Sequence, residues 1–190
     1  MSTPSELIVR HGPPTDAVDG RVVMLLPPLF EEANRLRRTL ILAMRAMATL
    51  NVSSILPDLS GQNESLTPTE AASLSLWRAE AAAVAHVEGV TLVASFRGSA
   101  LIDDAVEALH WRCAPLGGPA LLKGLLRSRV ASDAEAGVRS ESAALLEAAR
   151  TAPLTLGGNR LSPTMIGELT ATDVTPLPQV RTVTVANEAA

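Results

Sequence analysis

Short apolar runs and helical repeats take turns along this chain. Residues 21–26 (Arg-Val-Val-Met-Leu-Leu) form one such run, halted by Pro27-Pro28, and predict a strand buried on both faces. Over residues 34–50 the apolar positions Leu36, Leu40, Met44, Met47 and Leu50 recur at three- and four-residue steps, while Arg35, Arg38 and Arg45 mark another face. That spacing predicts an amphipathic helix. Residues 52–56 read as a second strand, stopped by Pro57 and the loop from Asp58 to Asn63. An Ala-rich helix is expected over about residues 69–86, with Thr67 or Thr69 as its N-cap and Gly89 near its end.

The same alternation continues in the second half. Residues 90–94 and 109–114 read as strands, with Gly98 in a tight connection to a helix over residues 100–108. Helices are expected over about 119–131 and 140–150, then an apolar piece at Leu154 to Leu156 that ends in Gly157-Gly158. Ser162-Pro163 reads as N-cap and first residue of a short helix to Leu169, because proline lacks a donor that the first turn does not need. Residues 180–185 alternate enough to form a last strand, and residues 7–10 could form a first. Strands alternating with helices predict an α/β, three-layer fold: a mainly parallel sheet with helices on both faces.

Composition narrows the function classes. A chain of 190 residues, 47% hydrophobic and 19% charged, suits one globular domain over residues 1–190. Aromatic residues make up only 2%, with no Tyr, and the net charge is −4. Base stacking and attraction to a phosphate backbone both lack a basis, so no nucleic-acid partner is expected. Cys113 is the single cysteine and cannot form an internal disulfide, and no Cys/His spacing suits a metal. The cytoplasm is therefore the expected compartment. Pro4, Glu6, Pro13 and Asp16 stand where a signal peptide would need an apolar run, and no stretch reaches the ~20 apolar residues of a membrane span.

One run is distinctive. Pro27-Pro28-Leu29-Phe30-Glu31-Glu32-Ala33-Asn34-Arg35-Leu36-Arg37-Arg38 resembles the α/β-hydrolases found with the exosortase A system, which carry Pro-Pro-Phe-x-Glu-Glu-x-Asn-x-x-Arg-Arg after an early strand. Leu56-Pro57-Asp58-Leu59-Ser60-Gly61, followed by Ser65, is similar to a turn common across α/β-hydrolases, with Asn63 where a second Gly is usual. Residues 121–131 and 157–163 resemble that family's cap, which implies a helical cap insertion over about 116–170. The resemblance spans roughly residues 22–177. It implies an α/β-hydrolase-like fold and, by family alone, ester or acyl hydrolysis in exosortase or exopolysaccharide systems.

In this fold the nucleophile stands on a strained strand-to-helix turn, usually Gly-x-Ser-x-Gly. Here the turn reads Ala94-Ser95-Phe96-Arg97-Gly98-Ser99-Ala100, and related Gly-Leu-Arg-x-Gly sequences put Arg97 at the elbow. A guanidinium remains protonated and is no acyl-transfer nucleophile. The other register makes Ser95 the catalytic nucleophile, with Val93 and Arg97 at the glycine positions. Neither register finds a base in the usual order, since the histidines are His11, His86 and His110 and the nearest late carboxylate is Glu188. Resemblance to full-length members implies that the chain lacks their C-terminal part, or that it is a non-hydrolytic relative.

The candidate site is Leu29, Phe30, Glu31, Glu32, Asn34, Arg97 and Asp58, as substrate-binding or oxyanion-loop residues. Each has a plainer reading. Glu31 and Glu32 stabilise a helix N-terminus, Arg35, Arg37 and Arg38 form a solvated face, Arg97 pairs with a carboxylate such as Asp58, and Asp58 caps its own turn. His110 reads as a packed residue and Cys113 as a buried small hydrophobe. Two functions compete: a hydrolase with a degenerate triad, and a catalytically silent binding or scaffold protein holding a small-molecule or glycan-related ligand. No cofactor and no metal are expected. A thinly charged last strand, with only Arg181 to blunt its edge, predicts either a homodimer through that edge or poor solubility of the isolated chain.

Overall fold

The computed structural model describes residues 8–13 and 21–184. The four apolar runs expected as strands become β2 (Val22–Leu26), β3 (Ser53–Pro57), β4 (Leu92–Phe96) and β5 (Leu109–Cys113). With β1 (Ile8–His11) and β8 (Val180–Val183) they form one sheet in the order β1-β3-β2-β4-β5-β8. Only β1 runs antiparallel, against β3. All other neighbours are parallel, and β2 and β4 lie side by side in register Val23 to Leu92.

Helices cover both faces. The pleat of β2 sends Val22, Met24 and Leu26 toward Trp77, Ala81 and Ala85 of α2 (Leu74–Glu88). Leu25 of the same strand joins Leu56 and Ala94 against Leu40 and Met44 of α1 (Glu31–Thr49). Strands sealed on two faces need apolar residues at successive positions, which is why these runs show no alternation. Each fully buried Leu or Met contributes roughly 1.5–3 kcal/mol.

Between β5 and β8 the chain forms α3 (Gly118–Glu135), α4 (Ser142–Ala148), the hairpin β6 (Leu154–Leu156) and β7 (Asn159–Leu161), and α5 (Pro163–Ala171). Ser162 caps α5 as expected, its side chain accepting from the Met165 amide at 3.1 Å. Leu121, Leu122, Leu125 and Leu126 of α3 and Met165, Ile166 and Leu169 of α5 extend the α2-side core.

Several expectations are corrected. Residues 100–108 do not form a helix but two short 3₁₀ segments, Arg97–Leu101 and Asp103–Ala105, because Asp103 turns fully inward to bind Arg112. The helix expected from 69 breaks after the 3₁₀ segment Thr69–Ala71. Thr69 is tied to the Gly61 carbonyl at 2.7 Å, so Ser73 caps α2 instead. Gly157-Gly158 is a hairpin turn, and residues 159–161 are a strand that the periodicity left unassigned. Cys113 is half-buried rather than buried, at the last position of β5 beside the sheet's edge strand β8. Leu7, Val185 and Glu188 lie outside the described residues.

Candidate functional site

The site forms where β2 and β4 end side by side. Each strand stops in a turn made by a non-glycine residue with positive φ: Phe30 (φ 61°, ψ −137°) after β2 and Arg97 (φ 56°) after β4. Such conformations cost a bulky residue on the order of 1–3 kcal/mol and persist only where surroundings impose them. Phe30 is held by burial against Trp77, ring centroids 5.6 Å apart. The Arg97 turn is held by Ser99, whose hydroxyl donates to the Leu26 carbonyl at 2.8 Å and accepts from the Phe96 amide at 2.8 Å. Gly98 completes the turn. A Cβ there would lie 2.9 Å from Leu121 Cδ2 of α3.

The two turns are latched together. Arg97 Nε and Nη2 donate to the Glu32 carboxylate at 3.1 and 3.2 Å, a forked pair from β4 to the first turn of α1. The expected partner, Asp58, is elsewhere. Its Oδ1 accepts from Arg37 at 2.8 Å and from Asn63 at 3.0 Å, so Arg37 leaves the solvated row to pair with a buried carboxylate, while Arg35 and Arg38 stay exposed. Asp58 therefore ties its loop to α1, and its Oδ2 has no partner among the described residues.

Ser95 lies one step back inside β4, with no exposed surface. Its hydroxyl donates to Asp103 at 2.6 Å, and the same carboxylate takes a forked pair from Arg112 at 2.7 and 2.9 Å. His110 Nδ1 stands 3.9 Å from Asp103, and Nε2 meets the Val106 carbonyl at 3.1 Å. Serine and histidine both border the acid rather than each other, and the buried Asp103–Arg112 pair fills the space between layers. Sequence patterning missed this network, since a charged pair inside an apolar core leaves no periodic signal.

A cleft of about 470 Å³ opens over the latch, lined by Leu29, Glu31, Glu32, Arg35 and Arg97 on one wall and by Lys123, Arg127 and neighbours of α3 on the other. Four cations face two carboxylates. Arg35, Lys123 and Arg127 make no ion pair among the described residues. Asn34 and Glu31 line a second cavity beyond Phe30. Thus Leu29, Glu31, Glu32 and Arg97 come together at the cleft, Phe30 and Asn34 line the second cavity with Glu31, and Asp58 and Ser95 join neither. Among the described residues no group of three His, Cys, Asp or Glu side chains is placed to hold a metal ion.

A solved structure titled "Putative hydrolase" from Agrobacterium vitis S4 superposes on this chain with a TM-score of 0.54. The fold is α/β-hydrolase-like. The two share 14% identity over 94% of this chain and 83% of the other, so the likeness concerns the fold alone. No protein-family profile matches the chain, and no curated protein does. In hydrolases of this fold the turn after an interior strand carries the nucleophile. Here that turn carries Arg97. No helix among the described residues is long and apolar enough to cross a membrane.

Proposed function

We propose that this protein uses an α/β-hydrolase-like frame to bind an anionic ligand, with Arg97 at the place of the nucleophile and without serine hydrolysis. One observation carries the reading: Arg97 holds the strained elbow conformation while Ser95 is sealed in the core on Asp103. A general base must reach the attacking hydroxyl within about 2.6–3.2 Å, and Ser95 meets an ion-paired carboxylate there instead of an imidazole. The guanidinium, by contrast, suits forked recognition of carboxylate or phosphate. Glu32 occupies that fork in the free protein, and the ligand competes for it with help from Arg35, Lys123 and Arg127. The resemblance to exosortase-associated hydrolases supports an acidic sugar or phosphorylated glycan precursor as the ligand.

Purified protein is expected to show no burst with p-nitrophenyl acetate and no labelling by a fluorophosphonate. Inorganic phosphate and glucuronate are expected to raise its melting temperature in a saturable way, at least tenfold more weakly in Arg97→Ala. Stoichiometric labelling at Ser95, or stabilisation unchanged by Arg97→Ala, overturns the reading.

A further inference from the structure

The face of the sheet that carries α1 is covered over one half only. Along β4 and β5 burial alternates. Val93, Ser95, His110 and Arg112 point to the α2 side and are buried, whereas Leu92, Phe96 and Trp111 on the α1 side are partly exposed and Leu109 is 53% exposed. The parallel registers set Leu92 beside Leu109, Trp111 beside Arg181 and Cys113 beside Val183, so these side chains share one face. Phe96 and Trp111 meet edge to face there, ring centroids 5.6 Å apart. Among the described residues α1 is the one helix whose side chains join this face.

The same helix walls the open half. Glu32 reaches the end of β4 through Arg97, and Arg37 reaches the end of β3 through Asp58, so opposite flanks of α1 overlook opposite halves of the sheet. Steps of seven, four and three residues carry the Glu32 flank to Thr39, Ala43 and Ala46, all exposed. Leu50, four residues further at the helix end, is 75% exposed. A floor of apolar and aromatic side chains therefore meets a wall of small ones. Three strands about 4.8 Å apart give a floor about 10 Å wide, and strands of this length run about 17 Å. One α-helix of about 10 Å diameter and about 11 residues fills that space.

We infer that this trough docks an amphipathic helix of a partner protein, its apolar stripe on the floor and carboxylates along its β8 flank. Arg181 sets the sign of that charge. It is the only charged side chain that β4, β5 and β8 place on this face, and it makes no ion pair among the described residues. A second copy laid on the face would bring another Arg181 and no carboxylate, and pairing through the β8 edge lies in the plane of the sheet and leaves the face bare. A bilayer would meet α1 first, since that helix stands about 10 Å above the strands beside the trough.

The test is acrylamide quenching of the 190-residue protein, in which Trp77 is fully buried and Trp111 supplies the accessible signal. The probes are synthetic peptides of about 16 residues, long enough to be helical alone: a leucine stripe flanked by Glu, the same stripe flanked by Lys, and the Glu peptide with its leucines scrambled. The Glu-flanked helix is expected to lower quenching at least threefold in a saturable way and to bind at least tenfold more tightly than the other two. Arg181→Glu should invert the order of the Glu and Lys peptides, and Leu109→Asp should abolish protection. Should Leu109→Asp fail to fold, Ala43→Glu, at an exposed position of the wall, should weaken the Glu peptide at least tenfold. No protection by any peptide, or protection unchanged in all folded variants, overturns the inference. So does a Trp111 already shielded in the free chain, shielded by raising the protein concentration alone, or shielded by phosphatidylcholine–phosphatidylglycerol vesicles in place of the peptides.

Discussion

At the scale of single residues, Arg97 combines two opposing terms. Its forked pair with Glu32 is partly exposed, 40% and 28% for the two side chains, and pairs of that kind contribute roughly 0–1 kcal/mol. Its φ of 56° costs an L-residue about 1–2 kcal/mol that glycine would not pay. Arg97→Ala and Arg97→Gly both delete the pair and differ in the backbone term. We expect Arg97→Gly to be the more stable of the two by about 1 kcal/mol in urea unfolding, in the sense opposite to the usual helix or strand position. Equal stabilities would show that the turn relaxes once the guanidinium is gone. Phe30 has the same backbone problem and a different solution, a ring locked against Trp77. Both turns were legible as turns from Pro27-Pro28 and Gly98. Resemblance put Arg97 at the elbow of one, but that Phe30 would hold the other was not legible, because the local sequence there favours no left-handed residue.

At the scale of elements, the strands and the longer helices were readable because burial on two faces writes unbroken apolar runs and burial on one face writes a 3.6-residue period. What escaped was set by long-range polar contacts. Asp103 and Arg112 broke a helix that periodicity supported, and Arg37 found Asp58 across 21 positions of sequence. The Leu29 to Asn34 segment was singled out by resemblance, while the opposing α3 cations had no sequence signal, since isolated polar residues on a helix usually face water. The joint between α3 and α5 rests on one glycine: a Cβ on Gly118 would lie 2.2 Å from the Leu169 carbonyl oxygen and 2.7 Å from that of Thr172. The Gly118 amide also donates to Thr172 at 3.0 Å. Backbone cannot yield as a side-chain tip can, so Gly118→Ala should cost about 2 kcal/mol or more, read as a lower midpoint in denaturant. Gly124→Ala is the control. It meets nothing within 4 Å and stands mid-helix, so it should stabilise by up to about 1 kcal/mol.

At the scale of the whole molecule, β8 ends the sheet order, and its Arg181, Thr182 and Val183 are exposed. Among the described residues nothing pairs with its outer edge. An edge with one charge invites a second copy, so the protein is expected to dimerise as concentration rises, and Val183→Lys should shift it toward monomer in light scattering. A monomer at high concentration, unchanged by that substitution, would show the edge to be covered. The order in which the strands join has a further consequence during synthesis. β5 is made early, yet its neighbour β8 arrives only after α3, α4, the β6–β7 hairpin and α5. At roughly 5–20 residues per second the ribosome leaves the outer side of β5 bare for several seconds. Arg112 sits within that bare strand, and its partner Asp103 has already been made. Inward-pointing charges are one device by which an open strand edge is blunted, so replacing the Asp103–Arg112 pair by apolar residues is expected to raise aggregation during synthesis.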